Sequence, residues 1–359
     1  MKKLTSLLML ALTASAFAIP KGPCDQKHDV CCEDANDVYA FSYTQDIGLS
    51  CPRDYYIHGD FLFMQSHEDG LEFAISNDST STPATLPLEN GQIRGFTTGS
   101  HTKDWDMGFR FGIGAFLSTD GWDLHGMWTH LHGNVDKTVG TTGNTVLSPL
   151  WFPPAVTQTC QQASARWKLD LNSLDLMLGK PYHVSRYFVA NPYFGARYSF
   201  IDQDYKARYG GDFGKATMTG KNNFWGFGLR PGFEGKFLVN SHITIFGNIA
   251  ASILWSKFDV DQQTENVPTD PSTGNYVFHN EFYTTATNLE SALGIAWGTL
   301  FSEARYHIDV RLAYEFQKWF EQNRFRRFFD NGNSIVSNKE LSKSDLNFEG
   351  LSLRLQFDF

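Results

Sequence analysis

What the chain lacks narrows it first. Beyond residue 18 no stretch approaches the roughly 20 consecutive apolar residues that a membrane-crossing helix needs, so helical spans are excluded. No Pro/Ser linker, low-complexity block or internal repeat divides the 359 residues, although such a length accommodates two or three soluble domains. A G-x-S-x-G elbow, a phosphate-binding loop and an H-E-x-x-H helix are all missing. No enzyme is therefore expected, and no cofactor is implied. Basic charge is also short: Lys and Arg number 30 against 39 Asp and Glu. An acidic chain of this kind is not built to hold nucleic-acid phosphates.

What is present begins at the N-terminus. Lys2 and Lys3 precede an apolar run from Leu4 to Leu12, and Ala16-Phe17-Ala18 offers small residues where a signal peptidase reads them. Residues 1–18 are predicted to be a secretory signal peptide, and no cysteine follows the cleavage site to suggest a lipoprotein. Removing Lys2 and Lys3 leaves 28 basic and 39 acidic residues, 28 − 39 = −11. Aromatics make up 15%, with 31 phenylalanines, yet mean hydropathy is only −0.32. Alternation reconciles the two, because a membrane β-barrel averages out as mildly polar.

Strict period-2 alternation runs through long segments. In Trp105–Leu117, Trp105, Met107, Phe109, Phe111, Ile113 and Leu117 share a face opposite Asp106 and Arg110. In Tyr306–Phe320, Tyr306, Ile308, Val310, Leu312, Tyr314 and Phe316 oppose His307, Asp309, Arg311 and Glu315. Asn222–Val239 repeats the pattern, with Arg230, Glu234 and Lys236 on the polar side. Seven further segments fit: Tyr55–Met64, Trp122–His132, Ala163–Leu178, Phe188–Asp202, Ile243–Phe258, Thr284–Trp297 and Asn347–Phe359. They run two to three times the roughly 5–6 residues of soluble strands, and nearly every one carries charge on its hidden face. A soluble sandwich buries its apolar face, whereas a barrel turns that face to lipid and the polar one inward. The expected fold is all-β: a transmembrane antiparallel up-and-down barrel of about ten strands over residues 55–359, with twelve as second choice.

The connections agree. Those at 77–104, 133–162, 203–221, 259–283 and 321–346 are long, and those at 118–121, 179–187, 240–242 and 298–305 are short, as expected of extracellular loops and periplasmic turns. An even strand number places both termini in the periplasm. A hidden hairpin around Gln92–Thr98 would raise the count to twelve. Tyr55, Tyr56, Trp105, Trp122, Trp255, Trp297 and Trp319 cluster near strand ends, the level that interfacial Tyr and Trp favour.

The terminal Leu351-Ser352-Leu353-Arg354-Leu355-Gln356-Phe357-Asp358-Phe359 alternates throughout and ends on Phe. It resembles the C-terminal signature of outer-membrane proteins, which implies recognition of Phe359 by the barrel-assembly machinery. A wider resemblance rests on Gly59-Asp60-Phe61-Leu62-Phe63, Glu68-Asp69-Gly70-Leu71-Glu72-Phe73-Ala74, Trp105-Asp106-Met107-Gly108-Phe109-Arg110 and Asp120-Gly121-Trp122-Asp123-Leu124. It continues through Pro192-Tyr193-Phe194-Gly195-Ala196-Arg197, Asn222-Asn223-Phe224-Trp225-Gly226 and Tyr314-Glu315-Phe316-Gln317. Over roughly residues 55–359 the chain resembles the Legionella-type major outer membrane protein family, the pore-forming group also found in chlamydia-like bacteria. The resemblance implies a surface-exposed porin or porin-like protein, with no catalytic residue to carry over.

Cys24, Cys31, Cys32 and Cys51 precede the first strand, in a segment at 19–54 expected in the periplasm, and Cys160 stands alone in a predicted loop. An exported chain oxidises its thiols. The adjacent Cys31 and Cys32 strain a mutual bond, so Cys24 and Cys51 are each expected to pair with one of them. Two readings stay open: an intramolecular disulfide-tied plug or strap, or cross-linking to envelope neighbours, which the chlamydia-like relatives imply. Cys160 is either free or intermolecular.

Candidate functional residues are the charges expected to face inward: Asp106, Arg110, Asp123, Arg166, Lys168, Asp170, Arg197, Arg230, Glu234, Lys236, Glu290, Asp309, Arg311, Glu315 and Arg354. In a narrow barrel they pair and fill the interior; in a wider one they line water and set ion selectivity. About eight strands leave an interior just filled by side chains, and 16–18 leave an open channel. Ten to twelve therefore predict small conductance, or gating by a loop folded inward. His130 and His132 sit two apart without a third ligand fixed by spacing, so a solvated strand pair outweighs a zinc site. Arg324, Arg326 and Arg327 alternate with Phe325, Phe328 and Phe329. They read as a solvated loop or as a contact for lipopolysaccharide phosphates. The expected function is passive passage of small hydrophilic solutes or ions across the outer membrane. The alternative is a non-transporting adhesin or disulfide-linked structural envelope protein.

Overall fold

The computed structural model describes residues 55–77, 91–96, 105–117, 121–142, 145–152, 159–267, 275–302, 306–330, 335–338 and 343–359. The expected signal peptide and Cys24, Cys31, Cys32 and Cys51 lie outside them. Ten long strands follow in chain order: β1 (Tyr55–Glu68), β2 (Asp106–Leu117), β3 (Trp122–Gly140), β4 (Gln162–Gly179), β5 (Phe188–Gly211), β6 (Gly214–Leu238), β7 (Ile243–Glu265), β8 (Val277–Phe301), β9 (Tyr306–Asn323) and β10 (Ser344–Asp358). Each pairs antiparallel with its neighbour, and β1 pairs with β10, so the sheet closes on itself. The backbones of Tyr55 and Phe359 exchange hydrogen bonds at that seam. Closure leaves no edge, the condition for strands in hydrocarbon.

The outward face is greasy. Leu293, Ile253 and Met107 are 67, 63 and 62% exposed, and such surface is tolerable only against lipid. At the end with short turns an aromatic row stacks: Tyr306 on Phe357 at 5.6 Å, Phe357 on Phe359 at 5.8 Å. Toward the other end a second row runs across neighbouring strands through Phe200, Trp225 and Tyr283, with Trp225 edge-on to Trp255 at 5.4 Å. Short turns mark the periplasmic side.

Beyond the second row the alternation persists but its sign reverses. In β5 the outward positions become Asp202, Asp204, Lys206 and Arg208, while Ile201, Tyr205, Ala207 and Tyr209 are buried inside. In β7 they become Lys257, Asp259 and Asp261, while Phe258 and Val260 are buried. Above the hydrocarbon the outside is water, so the barrel there obeys the soluble rule. This corrects the expected loops. Residues 203–221 form the outer arms of β5 and β6, joined only at Asp212–Phe213, because Gly211 already pairs with Gly214. The expected 259–283 loop shrinks likewise to the chain between Glu265 and Val277. Strands β5 and β6 have 24 and 25 residues, where about 9–11 cross a bilayer.

Loop segments fold back over this extension. Ala74–Asn77 pairs with Gln92–Arg94 and Val146–Pro149 in a small outer sheet, and Arg327–Asp330 pairs with Ile335–Asn338. The possible hairpin near Gln92 thus joins the outer sheet, and the barrel keeps ten strands.

Candidate functional site

Register alone builds the membrane-level interior. Asp60 on β1 stands directly opposite Arg110 on β2 and Arg354 on β10. It accepts from Arg354 Nε and Nη2 at 2.9 Å each and from Arg110 Nη1 at 3.0 Å. Arg110 reaches on to Glu315 at 2.9 Å. Asp175 stands opposite Arg197 on β5. That guanidinium forks onto both carboxylate oxygens at 2.6 and 2.8 Å and also donates to Asn288 and Glu290. Glu290 accepts in turn from Arg230 at 2.5 Å and Gln317 at 2.9 Å. A third group joins Arg311 to Glu234 at 3.1 Å and to Asp309, with Lys236 on Glu234 at 3.2 Å. Arg311 and Arg354 face each other across β9 and β10. Like charges so placed are unfavourable, and Glu234, Asp309 and Asp60 offset them. Arg predominates because its planar fork matches carboxylates two bonds at a time.

These groups surround a cavity of about 220 Å³. Arg110, Asp123, Arg197, Arg230, Glu234, Lys236, Glu290, Arg311, Glu315 and Arg354 line it. Asp309 also faces inward, and Asp106 sits higher, against Ser66 at 2.5 Å. Three expected lining residues do not belong. Arg166, Lys168 and Asp170 point outward on the extension of β4, where Arg166 pairs with Asp136 at 2.5 Å and Asp170 with His132 at 2.5 Å. Their inward neighbours are Ala165, Trp167, Leu169 and Leu171, all buried. The reversal of sign above the bilayer is the physical reason. Conversely, His58, Asp60, His125 and Asp175 belong to the interior and lie outside the expected set. Their signal was strand parity: Asp175 lies between Leu174 and Leu176, both on the lipid face.

The outer half of the interior is packed with side chains. Trp319, Phe224, Phe258 and Phe348 are at most 2% exposed, as are Leu71 and Phe73 from the first loop, Trp151 from the second and Phe325 from the last. Gly70 adopts φ +83°, which lets the chain leave β1 and turn inward. Polar ties hold the loops to the wall. Tyr205 donates to the Leu71 carbonyl at 3.2 Å and Tyr209 to that of Phe73 at 2.6 Å. Asn323 and Ser344 both donate to the Asp69 carbonyl.

The arginine trio completes this plug. Arg327 donates to the carbonyls of Gly70 and Glu72 and to the Glu72 carboxylate, all at 2.8–2.9 Å, and its guanidinium lies 4.8 Å over Trp151. Burial pushes the Glu72 carboxyl up, but Arg327 outweighs it and holds the group below its ordinary value. Arg324 stacks on Phe258 at 4.8 Å and Arg326 on Phe278 at 4.9 Å. All three therefore serve packing, which corrects the solvated-loop expectation.

His130 meets Asn172 at 3.0 Å and His132 meets Asp170, both on the outward face, so the pair does not converge. Cys160 is a free thiol, 2% exposed, which donates to the Leu147 carbonyl at 3.5 Å. Burial pushes it up to about 12. Its sulfur is shielded from solvent in this conformation.

The profile of the family described as Legionella pneumophila major outer membrane protein precursor matches residues 50–359. No curated protein matches the chain. Among solved structures, the Escherichia coli outer membrane protease OmpT is 11% identical, covering 86% of this chain and 98% of its own, at a TM-score of 0.43. The Pseudomonas putida toluene transporter TodX is 8% identical over 86% and 90%, at a TM-score of 0.33.

Proposed function

Because the chain belongs to the family of the Legionella pneumophila major outer membrane protein precursor, and so resides in the bacterial outer membrane, we propose that it is a gated pore for small hydrophilic solutes or ions. The supporting observation is the charge-lined cavity of about 220 Å³ at membrane level, separated from the outside by a plug of loop residues. Ten strands sit just above the size at which side chains alone fill a barrel, so the open state conducts weakly. Both charge signs line the cavity, and water-filled rings of such groups discriminate among ions. The packed outer half favours a second reading, a non-transporting surface barrel. Planar-bilayer recording of refolded protein separates the two. The proposal expects small discrete conductance steps that lengthen when the plug is loosened by Tyr209→Phe. A correctly folded protein silent in both forms overturns it.

A further inference from the structure

The plug is fastened on one side and poorly satisfied on the other. Toward β5 its ties are complete: Tyr205 and Tyr209 hold the first loop, and Trp151 Nε1 donates to the Glu72 carbonyl at 3.0 Å. Toward β9 the wall departs from its own ladder. Trp319 faces Leu346 and Asn323 faces Ser344, so Phe320, Glu321 and Gln322 oppose Asp345 alone. A bulge of this kind re-aims side chains. Here it buries both Gln322 and Asn323, where strict alternation would turn only one of them inward. Glu321 sits at φ +50°, a left-handed conformation that is unfavourable for a residue with a side chain. Its N–H donates to Asp345 Oδ1 at 2.9 Å, and its carboxylate takes Lys343 at 3.0 Å and Arg324 at 3.3 Å.

The bulge also reaches across the lumen. Strands β7 and β8 separate β6 from β9, yet Asn222 Nδ2 on β6 donates to the Gln322 carbonyl at 2.8 Å. Around this latch, buried polar atoms have no hydrogen-bond partner among the described residues: both side-chain amide atoms of Gln322, Asn222 Oδ1 and Trp319 Nε1. All three residues are 0% exposed. Atoms that lose water without gaining a partner penalise the arrangement that buries them. A displacement that readmits water relieves that penalty.

We propose that the β9 bulge is the gate: Gln322 and Trp319 draw away from Asn222 and open a route along the β6–β9 side of the lumen, while the first loop stays tied to β5. This rests on the pore reading and names the part that moves. Strain at Glu321 and the unpartnered atoms weigh against the closed arrangement. The Asn222 latch and the packing of Phe325 on Tyr205, with ring centroids 5.8 Å apart, weigh for it. Opposed contributions of this kind leave two arrangements close in free energy, as a gate requires. The gate also abuts the cavity. Trp319 lies under the Arg197 guanidinium at 5.9 Å and two residues along β9 from Gln317, and Arg197 and Gln317 both line the cavity. Uncharged hydrogen-bonding groups along the route suit small hydrophilic solutes and deliver them to the charged chamber below.

The test uses the full refolded chain, read by amide hydrogen exchange and by planar-bilayer recording. In the wild type, amides at 319–325 are expected to exchange sooner than those at 71–74, because local opening sets the exchange rate. Gln322→Met keeps the side-chain volume and removes the unpartnered amide. It should slow exchange at 319–325 about tenfold and make openings rarer by a similar factor. Glu321→Asn, which tolerates the left-handed region, should act in the same direction by about threefold. Gln263→Met, exposed on the outward face of β7, should change neither readout. A conducting barrel in which Gln322→Met alters neither exchange nor opening frequency, or in which 71–74 exchanges first, overturns the gate and leaves the pore. A barrel silent in every form overturns the pore, and the gate with it.

Discussion

The Tyr209 hydroxyl donates to the Phe73 carbonyl at 2.6 Å, one of the bonds that fasten the barrel wall to the first loop of the plug. Both residues are essentially without solvent. A buried hydrogen bond contributes about 1 kcal/mol net, close to a fivefold change in an equilibrium. Tyr209→Phe should therefore raise the population of the loosened plug about fivefold. Cys160 is a built-in reporter, because its thiol is buried beside Leu147 and held up to about 12. Maleimide labelling should be slow in the wild type and about fivefold faster in Tyr209→Phe. Equal rates would show that the bond does not restrain the plug.

Acid should loosen a second tie of the same plug. The Glu72 carboxyl is held below its ordinary value by Arg327. Its contribution is thus present above the unfolded value of about 4.3 and is lost as pH falls through the lower folded value. The part of the loops' protease resistance that this pair supplies should hold down to about pH 5 and decline below about pH 4. In Glu72→Gln that particular decline should be missing.

The Arg197 fork on Asp175 is a desolvated ion pair, 3 and 0% exposed at its side chains. Removing one partner of such a pair costs about 3–5 kcal/mol, because the other charge stays buried and unmatched. Arg197→Ala should lower urea-unfolding stability by that amount. Arg197→Lys should recover little, since an ammonium cannot reproduce the fork.

The architecture was largely legible in the sequence because lipid imposes a simple rule: period 2, grease outward, charge inward. The ten segments, the short turns and most of the lumen charges follow from it. Legibility failed where the solvent changes. Leu174, Leu176 and Leu178 fix the phase of β4, and carrying that phase upward puts Arg166, Lys168 and Asp170 outside. A rule of charge inward along the whole strand puts them inside. The outer arms of β5 and β6 looked like a loop for the same reason, their outward face being polar. The plug was beyond reach, because Phe73, Trp151 and Phe325 lie far apart in sequence and meet only once the barrel exists.

Selectivity separates the two classes of charge. Lys236 lines the cavity, and Lys236→Glu should shift the reversal potential in a salt gradient toward cations. Arg166→Glu and Lys168→Glu, on the outward face, should leave it unchanged. A shift from the outward pair equal to that from Lys236 would refute this assignment.

The reversal of faces along the strands carries the whole account, and β7 tests it most directly. Spin labels placed one at a time at the outward positions Ile245, Ile249, Ile253, Lys257 and Asp261, in protein reconstituted into bilayers, report access to dissolved oxygen and to a water-soluble nickel complex. Oxygen access should dominate from Ile245 to Ile253, and nickel access should take over at Lys257 and Asp261. Uniform nickel access at all five positions would mean that water, not hydrocarbon, covers the apolar face, and would contradict the membrane barrel itself.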